Sequence, residues 1–131
     1  MAAGDNMAIT NSKILTLGTV ADLTYMAADA DTADLAQKFI YTPTGKDNKI
    51  VIGAVVANTN GTVALSFKAG AGVFGTAAKS VNAVQNKTSI VQIETGRYMQ
   101  ANGTIEITAT PASGKKLLTD HTLKIFVIEL Q

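Results

Sequence analysis

The chain is predicted to fold as an all-β protein, an antiparallel β-sandwich of jelly-roll-like or Greek-key type with at most one short helix. Three observations predict this fold class. Val, Ile and Thr make up 38 of the 131 residues, and β-branched side chains favour strands. Several short segments alternate apolar and polar residues, which is the period of a half-buried strand. The pairs Asn60-Gly61 and Asn102-Gly103 are typical turn residues.

The N-terminal third carries the weaker signals. Residues 1–12 are small and polar without periodicity, which predicts a flexible arm. Residues 13–131 are predicted to form a single domain, since this length suffices for one core. Asp29–Lys38 favours a turn or one or two helical turns, with Asp31 as a possible N-cap. Short strands are predicted at Lys13–Leu17, Leu23–Ala27 and Phe39–Thr42.

The middle of the chain predicts a hairpin. Lys49–Ala57 is nearly continuously apolar, as a strand covered on both faces would be. Thr62–Lys68 alternates, which indicates a half-buried antiparallel strand. The residues Asn58–Gly61 lie between them, and an Asn-Gly turn at this place favours direct pairing of the two strands.

The C-terminal half predicts three further strands, and Ser80–Val84 is ambiguous. The last strand, Thr122–Leu130, has apolar residues on both faces, so it is expected to be central in its sheet or to lie in an interface. Ala69–Ala78 is rich in Gly and Ala and is predicted to be a loop. The strands are predicted at Ser89–Glu94, Thr104–Thr110 and Thr122–Leu130.

The composition excludes several classes of protein. The net charge is +1 and basic residues are scattered, whereas a nucleic-acid-binding protein carries a basic face or stripe. The chain has no cysteine, so a disulfide framework and a thiolate metal site are excluded. No apolar run approaches the roughly 18 residues of a membrane span. The N-terminal residues lack the features of a secretory signal, so synthesis in the cytoplasm is expected.

One motif raises an enzymatic alternative. Gly70–Gly75 matches the G-x-G-x-x-G fingerprint of dinucleotide-binding proteins, a predicted strand precedes it, and Glu94 stands where an acidic residue would bind the ribose. Lys79–Gln85 lacks a helical stripe, however, and the rest of the chain indicates antiparallel strands. A loop between strands is therefore the favoured interpretation, with a nucleotide-binding βαβ unit as the remote alternative.

Other candidate sites are weaker. Asp29, Asp31 and Asp34 have a spacing at which carboxylates bind calcium, but the EF-hand pattern fails and a solvated turn is favoured. His121 is the only histidine, which is too few for a histidine metal site, and an exposed loop position is predicted. No catalytic, cofactor or metal site is predicted, and the chain is expected not to be an enzyme.

Several strand-and-turn motifs in the last two-thirds of the chain carry a resemblance to a known family. These motifs are Asp47–Val51, Asn58-Thr59-Asn60, Lys68-Ala69-Gly70 and Glu94–Tyr98. In this order they resemble the small capsid decoration, or cement, proteins encoded among the head genes of tailed bacteriophages.

The resemblance implies a β-sandwich on the outer surface of the virion, often a homotrimer, that binds the major capsid protein and stabilises the shell. Some relatives are tail or adhesion proteins, so a carbohydrate- or receptor-binding module is the alternative function. Nucleic acid and membrane are not expected as partners.

Four residues are candidates for a capsid or subunit interface. Arg97 and Tyr98 are an amphipathic pair of the kind enriched at interface hot spots; the alternative is that Tyr98 lies in the core beside a solvated Arg97. Phe126 and Ile128 form the second apolar face of the last strand.

Overall fold

The computed structural model describes residues 6–45 and 48–130, and it contains two β-sheets packed face to face. Within these described residues, ten strands and one helical turn follow one another along the chain. Their bounds are β1 Met7–Ala8, β2 Lys13–Leu15, β3 Met26–Ala27, β4 Gln37–Tyr41, β5 Lys49–Val56, β6 Val63–Phe67, β7 Lys79–Ala83, β8 Lys87–Glu94, α1 Thr95–Tyr98, β9 Ile105–Thr110 and β10 Lys124–Leu130.

Each sheet contains strands that are distant in sequence. Sheet I has the order β1-β4-β9-β6-β7. Sheet II has the order β2-β10-β5-β8, and β3 pairs with the beginning of β10 beside β2. The chain changes sheet at every connection except β2–β3 and β6–β7. The predicted all-β sandwich is therefore confirmed.

Both sheets are mixed, whereas a purely antiparallel sandwich was predicted. β1 runs parallel to β4, and β2 runs parallel to β10. Both parallel strands come from the first 15 residues. This short N-terminal segment adds one strand to the edge of each sheet. Neither strand is joined to its partner by a tight turn, so local turn residues do not determine the parallel direction.

The core fills the space between the sheets. The alternation of β4, β6 and β9 directs every second side chain inward, and β5 and β10 do the same from sheet II. The largest fully buried apolar side chains are Phe39, Ile50, Ile52, Phe67, Ile105, Ile107, Leu117, Leu123 and Ile125.

The N-terminal segment differs from the predicted flexible arm of residues 1–12. Residues 1–5 lie outside the described residues, while the remainder contains β1. Met7 is aligned with Phe39 of β4, Ile9 donates its N–H to the Ile40 carbonyl at 2.8 Å, and the Ile9 side chain is buried. The apolar run Met7-Ala8-Ile9 is too short to show a period, so sequence patterning missed this strand.

The predicted hairpin at Asn58–Gly61 is wrong, because β5 and β6 lie in different sheets. The Asn58 and Asn60 amides each donate to the Asp120 carbonyl, at 2.7 and 2.8 Å. The Gly61 N–H donates to Gln85 Oε1 at 2.8 Å. These distant partners turn the connection into an arch between the sheets.

Of the two alternatives predicted for Asp29–Lys38, a turn or one or two helical turns, the structure forms the turn. Between Asp29 and Lys38 the chain forms a bend and a turn before β4, without a helix. The helical turn α1 instead follows β8 directly and begins the crossing to β9.

Candidate binding surfaces

The three aspartates considered as a calcium site have separate partners. Asp31 Oδ1 accepts from Thr119 Oγ1 at 2.8 Å, Asp34 Oδ1 accepts from the Gly114 N–H at 2.6 Å, and Asp29 accepts from the Gln37 amide. Two of them therefore tie the turn before β4 to the loop after β9. Over residues 6–45 and 48–130 no three His, Cys, Asp or Glu side chains come close enough to hold a metal ion.

The nucleotide-binding alternative for Gly70–Gly75 is contradicted by the topology. The strand after this loop, β7, is antiparallel to β6 and directly adjacent to it. A βαβ unit requires a helix and a parallel strand. The loop is instead a long hairpin connection.

The glycines of this loop are explained by packing. A Cβ atom on Gly70 would lie 2.2 Å from the Arg97 carbonyl oxygen, and one on Gly75 would lie 2.5 Å from the Gly70 carbonyl oxygen. The Thr76 N–H donates to the Arg97 carbonyl at 2.9 Å. The loop is thus held against α1 by backbone contacts that side chains would prevent.

Glu129 is a buried carboxylate on the last strand. Its Oε1 accepts from the Tyr41 hydroxyl at 2.6 Å and from the Thr44 N–H at 3.0 Å, and its Oε2 accepts from the Thr44 hydroxyl and the Asn48 amide. Burial raises the pKa of Glu129, but these hydrogen bonds together outweigh burial and hold the pKa below its usual value. This cluster ties Tyr41, Thr44 and Asn48 to β10, and each carboxylate oxygen of Glu129 accepts at least two hydrogen bonds.

His121 is buried, contrary to the predicted exposed loop position. Its Nε2 accepts a hydrogen bond from the Ala112 N–H at 3.1 Å, while its buried Nδ1 has no hydrogen-bond partner. Burial lowers the pKa of His121, and nearby Lys115 lowers it further against the opposing effect of Asp120. The neutral imidazole therefore supports the loop after β9.

Arg97 and Tyr98 occupy different environments. The Tyr98 side chain is only 7% exposed and packs against Phe67, with ring centroids 5.7 Å apart, so it lies in the core as the alternative interpretation had it. The Arg97 side chain is exposed, and its Nε lies 3.5 Å from Glu94 Oε1.

Phe126 and Ile128 lie on the outer face of sheet II, away from the core. Phe126 is nevertheless buried, because the Tyr25 ring packs edge-on against it at a centroid distance of 5.6 Å. Beneath its ring lies Gly53, where a Cβ atom would come within 2.0 Å of Phe126 Cζ. Ile128 is half-buried beside Val51.

The outer faces of the two sheets differ in polarity. On sheet I, Glu106 lies 3.2 Å from Lys38 and 3.0 Å from Lys68, with rows of Ser, Thr and Asn around them. Hydrogen bonding to Lys68 is the largest effect that lowers the pKa of Glu106. On sheet II the outer positions include the apolar Val51, Val55, Ile90, Phe126, Ile128 and Leu130 beside the polar Lys49, Thr88, Gln92, Glu94 and Lys124.

Two loops present apolar side chains to solvent. Leu17 and Val20, between β2 and β3, are 99% and 92% exposed, and Val73 and Phe74, between β6 and β7, are 95% and 81% exposed. No periodic pattern marks these residues in the sequence, because they are single or paired apolar residues in loops that contain Gly and Thr. β2 and β6 end at the same end of the sandwich, so Leu17, Val73 and Phe74 are here called the apolar loop end.

Both loops are held by backbone hydrogen bonds. The Thr19 N–H donates to the Thr16 carbonyl at 3.1 Å, and Gly18 has a φ of 81°, which closes a tight turn with Leu17 at its tip. The Gly75 N–H donates to the Gly72 carbonyl at 2.9 Å. The apolar tips are therefore presented in defined conformations.

A groove of about 510 Å³ adjoins this end. Val73 and Phe74 form one wall, and Met99 with the segment around Gly103 forms the other. An apolar side chain of a partner protein fits the composition of such a groove.

In the part of the chain that the structure describes, no helix has the length and apolar character needed to cross a membrane.

Comparisons with known proteins give a distant structural likeness. No family model matches the chain, and no curated protein matches its sequence. A solved structure of a Bacillus endospore appendage, described as belonging to a novel family of disulfide-linked pili, superposes with a TM-score of 0.47 at 14% sequence identity, covering 81% of each chain.

Proposed function

We propose that this protein is a non-enzymatic structural protein of a tailed-phage virion that binds the outer surface of the capsid and stabilises the shell. The resemblance of its strand-and-turn motifs to capsid decoration proteins supplies the partner, the major capsid protein. The observation that carries the proposal is the apolar loop end, where Leu17, Val73 and Phe74 are almost fully exposed.

The exposure of these side chains has a physical cost. Burying a Leu, Val or Phe side chain contributes about 1.5–3 kcal/mol relative to leaving it in water, and this gain is not made within the chain. Val73 and Phe74 are neighbours in one loop, and adjoining exposed apolar residues mark interaction sites in soluble proteins. The preformed turns lower the entropy lost on docking.

The rest of the surface suits the same role. The outer face of sheet I is polar, with its Lys38–Glu106–Lys68 cluster, and this face stays solvated when the apolar loop end is docked. A shell offers many equivalent sites, and an assembled homo-oligomer that engages several of them at once gains affinity through multivalency.

Co-sedimentation with undecorated capsids tests the proposal. We expect saturable binding at a fixed ratio to the major capsid protein, and that ratio also reports the oligomeric state of the docked unit. Binding to isolated tails without binding to capsids would instead assign the protein to the tail or adhesion class. Absence of binding to mature shells rejects the decoration role.

A double variant, Leu17→Ser with Phe74→Ser, tests the docking surface. We expect at least a tenfold loss of capsid affinity with the thermal midpoint unchanged, since neither side chain packs in the core. Val84→Ser is the matched control, because Val84 is also an exposed apolar residue but lies in the β7–β8 turn at the opposite end. Equal affinity of both variants would remove the apolar loop end from the interface.

A further inference from the structure

The outer edge of β8 is open. β8 is the last strand of sheet II, and over the described residues it pairs only with β5. It has eight residues and contains no proline, so nothing in its sequence blocks a further strand.

The register identifies which backbone groups face this edge. Beyond the aligned pair Lys49–Glu94, the Thr95 N–H donates to the Asn48 carbonyl at 2.9 Å. Hydrogen-bonded pairs alternate along an antiparallel ladder. The N–H and C=O groups of Thr88, Ile90 and Gln92 therefore point away from β5.

The side chain at the centre of this edge is apolar. Ile90 lies on the outer face of sheet II and is 68% exposed. In register it lies beside Gly53, which in turn lies beside Phe126. An added strand with an apolar residue next to Ile90 would extend this apolar row.

A basic groove lies where β8 ends. It has a volume of about 400 Å³ and runs past Gln92, Ile93 and Glu94. The cationic side chains that line it are Lys49, Lys79 and Arg97, against the single carboxylate of Glu94. Three positive charges and one negative charge give a net charge of +2 among the described lining residues.

We propose that the open edge of β8 is a binding site for an extended acidic segment of a partner protein, which adds as a further strand of sheet II and places its carboxylates in the groove of Lys49, Lys79 and Arg97. Backbone hydrogen bonds to Thr88, Ile90 and Gln92 hold the segment in register, as in other cases of strand addition. The charges select its composition. This site uses other side chains than the apolar loop end, although both lie at the same end of the sandwich, and it does not depend on the capsid role.

The test uses a blocked ten-residue peptide of alternating valine and aspartate as the probe. A peptide of alternating valine and lysine is the matched control for charge; each peptide carries a fluorescein label, and its fluorescence anisotropy is followed as the full chain is added. We expect saturable binding of the acidic peptide only, with an affinity that falls as salt is raised.

Variants separate the groove from the general charge of the protein. Lys79→Glu combined with Arg97→Glu is expected to weaken binding at least tenfold. Lys124→Glu, at an exposed position on the outer face of sheet II at the start of β10, is the control and is expected to change affinity less than twofold. Loss of binding in the control to the same extent would overturn the proposed groove.

Amide hydrogen exchange distinguishes strand addition from adhesion of an acidic peptide. The proposal predicts that the peptide slows exchange of the Thr88, Ile90 and Gln92 amides at least tenfold. Binding without this protection, or absence of binding, rejects it. Protection that grows with protein concentration in the absence of peptide also rejects it, because a second copy of the chain would then occupy the edge.

Discussion

Gly53 shows how a single residue shapes the outer face of sheet II. Glycine is the only residue type that leaves space here for the Phe126 ring, since a Cβ atom would come within 2.0 Å of that ring. The ring in turn supports Tyr25 and the end of the exposed β2–β3 loop. In the sequence Gly53 looks like an interruption of the apolar run Lys49–Ala57, but the packing of Phe126 requires a glycine there.

Gly53→Ala is expected to destabilise the protein by about 1–3 kcal/mol, because Phe126 must leave its position or strain the sheet. Urea unfolding followed by circular dichroism measures the change. Gly72→Ala is the control, since a Cβ atom added at Gly72 would meet nothing within 4 Å, and it should leave the midpoint nearly unchanged. A Gly53 variant as stable as this control would contradict the packing argument.

Glu129 determines part of the acid stability. Its folded-state pKa lies below the usual value of 4.5, so its contribution to folding is fully present above that value. The contribution is lost as the pH falls through the folded-state pKa. Tyr41 is the converse case, because burial and then its hydrogen bond to Glu129 raise its pKa.

Glu129→Gln is expected to cost about 1–3 kcal/mol at pH 7, because an amide cannot accept from all four donors. The free energy of unfolding, measured from pH 7 to pH 3, should fall less steeply below pH 4.5 in the variant than in the wild type. Asp22→Asn, which removes an exposed carboxylate of the β2–β3 loop, is the control for the loss of one negative charge. Parallel curves for the wild type and Glu129→Gln would show that Glu129 does not titrate in this window.

At the scale of the elements, the arch between β5 and β6 is held from outside. The Asn58 amide donates to the Asp120 carbonyl and, at 3.0 Å, to Thr122 Oγ1. Thr122 has a φ of 47°, an uncommon conformation for a β-branched residue. The contact therefore helps to stabilise a strained entry into β10.

Asn58→Ala is expected to destabilise the protein by about 1–2 kcal/mol, because the partly buried Thr122 hydroxyl loses this donor and the Asp120 carbonyl keeps only the Asn60 amide. Thr59→Ala, at the exposed neighbouring position, provides the comparison in thermal unfolding. If the two variants unfold at the same temperature, the arch is held by its backbone contacts alone.

Strand positions were largely predictable from the sequence, whereas strand partners were not. Lys49–Ala57 and Thr62–Lys68 were predicted within one residue of β5 and β6, because alternation and apolar runs are local properties. Their assignment to one hairpin failed, since the bonds from Asn58 and Asn60 reach Asp120, far along the chain. The candidate interface residue Tyr98 likewise could not be placed without knowing that Phe67 packs against it.

At the scale of the whole molecule, the N-terminal segment from residue 6 belongs to the sandwich. β1 extends sheet I and β2 extends sheet II, so this segment spans both layers at one side. Asn11 strengthens the link, because its amide donates to the Ile125 carbonyl at 3.1 Å and to the Thr24 carbonyl.

Ile9→Ala is expected to lower the free energy of unfolding by about 2–4 kcal/mol, since the side chain is buried in the common core. Thr10→Ala, at the adjacent exposed position, is the control and should change stability by less than about 0.5 kcal/mol. A flexible arm would give the same small effect for both substitutions.

The sequence by itself determined the all-β class, most strand positions and which side chains of the alternating strands share a face, because these follow from periodicity within a few residues. Only the tertiary structure decided the distribution of strands between two sheets, the parallel edge strands and the burial of Tyr98, His121 and Phe126. It also revealed the apolar loop end and the open edge of β8. These features depend on contacts between residues distant in the chain, and exposure is a property of the assembled surface that no local pattern encodes.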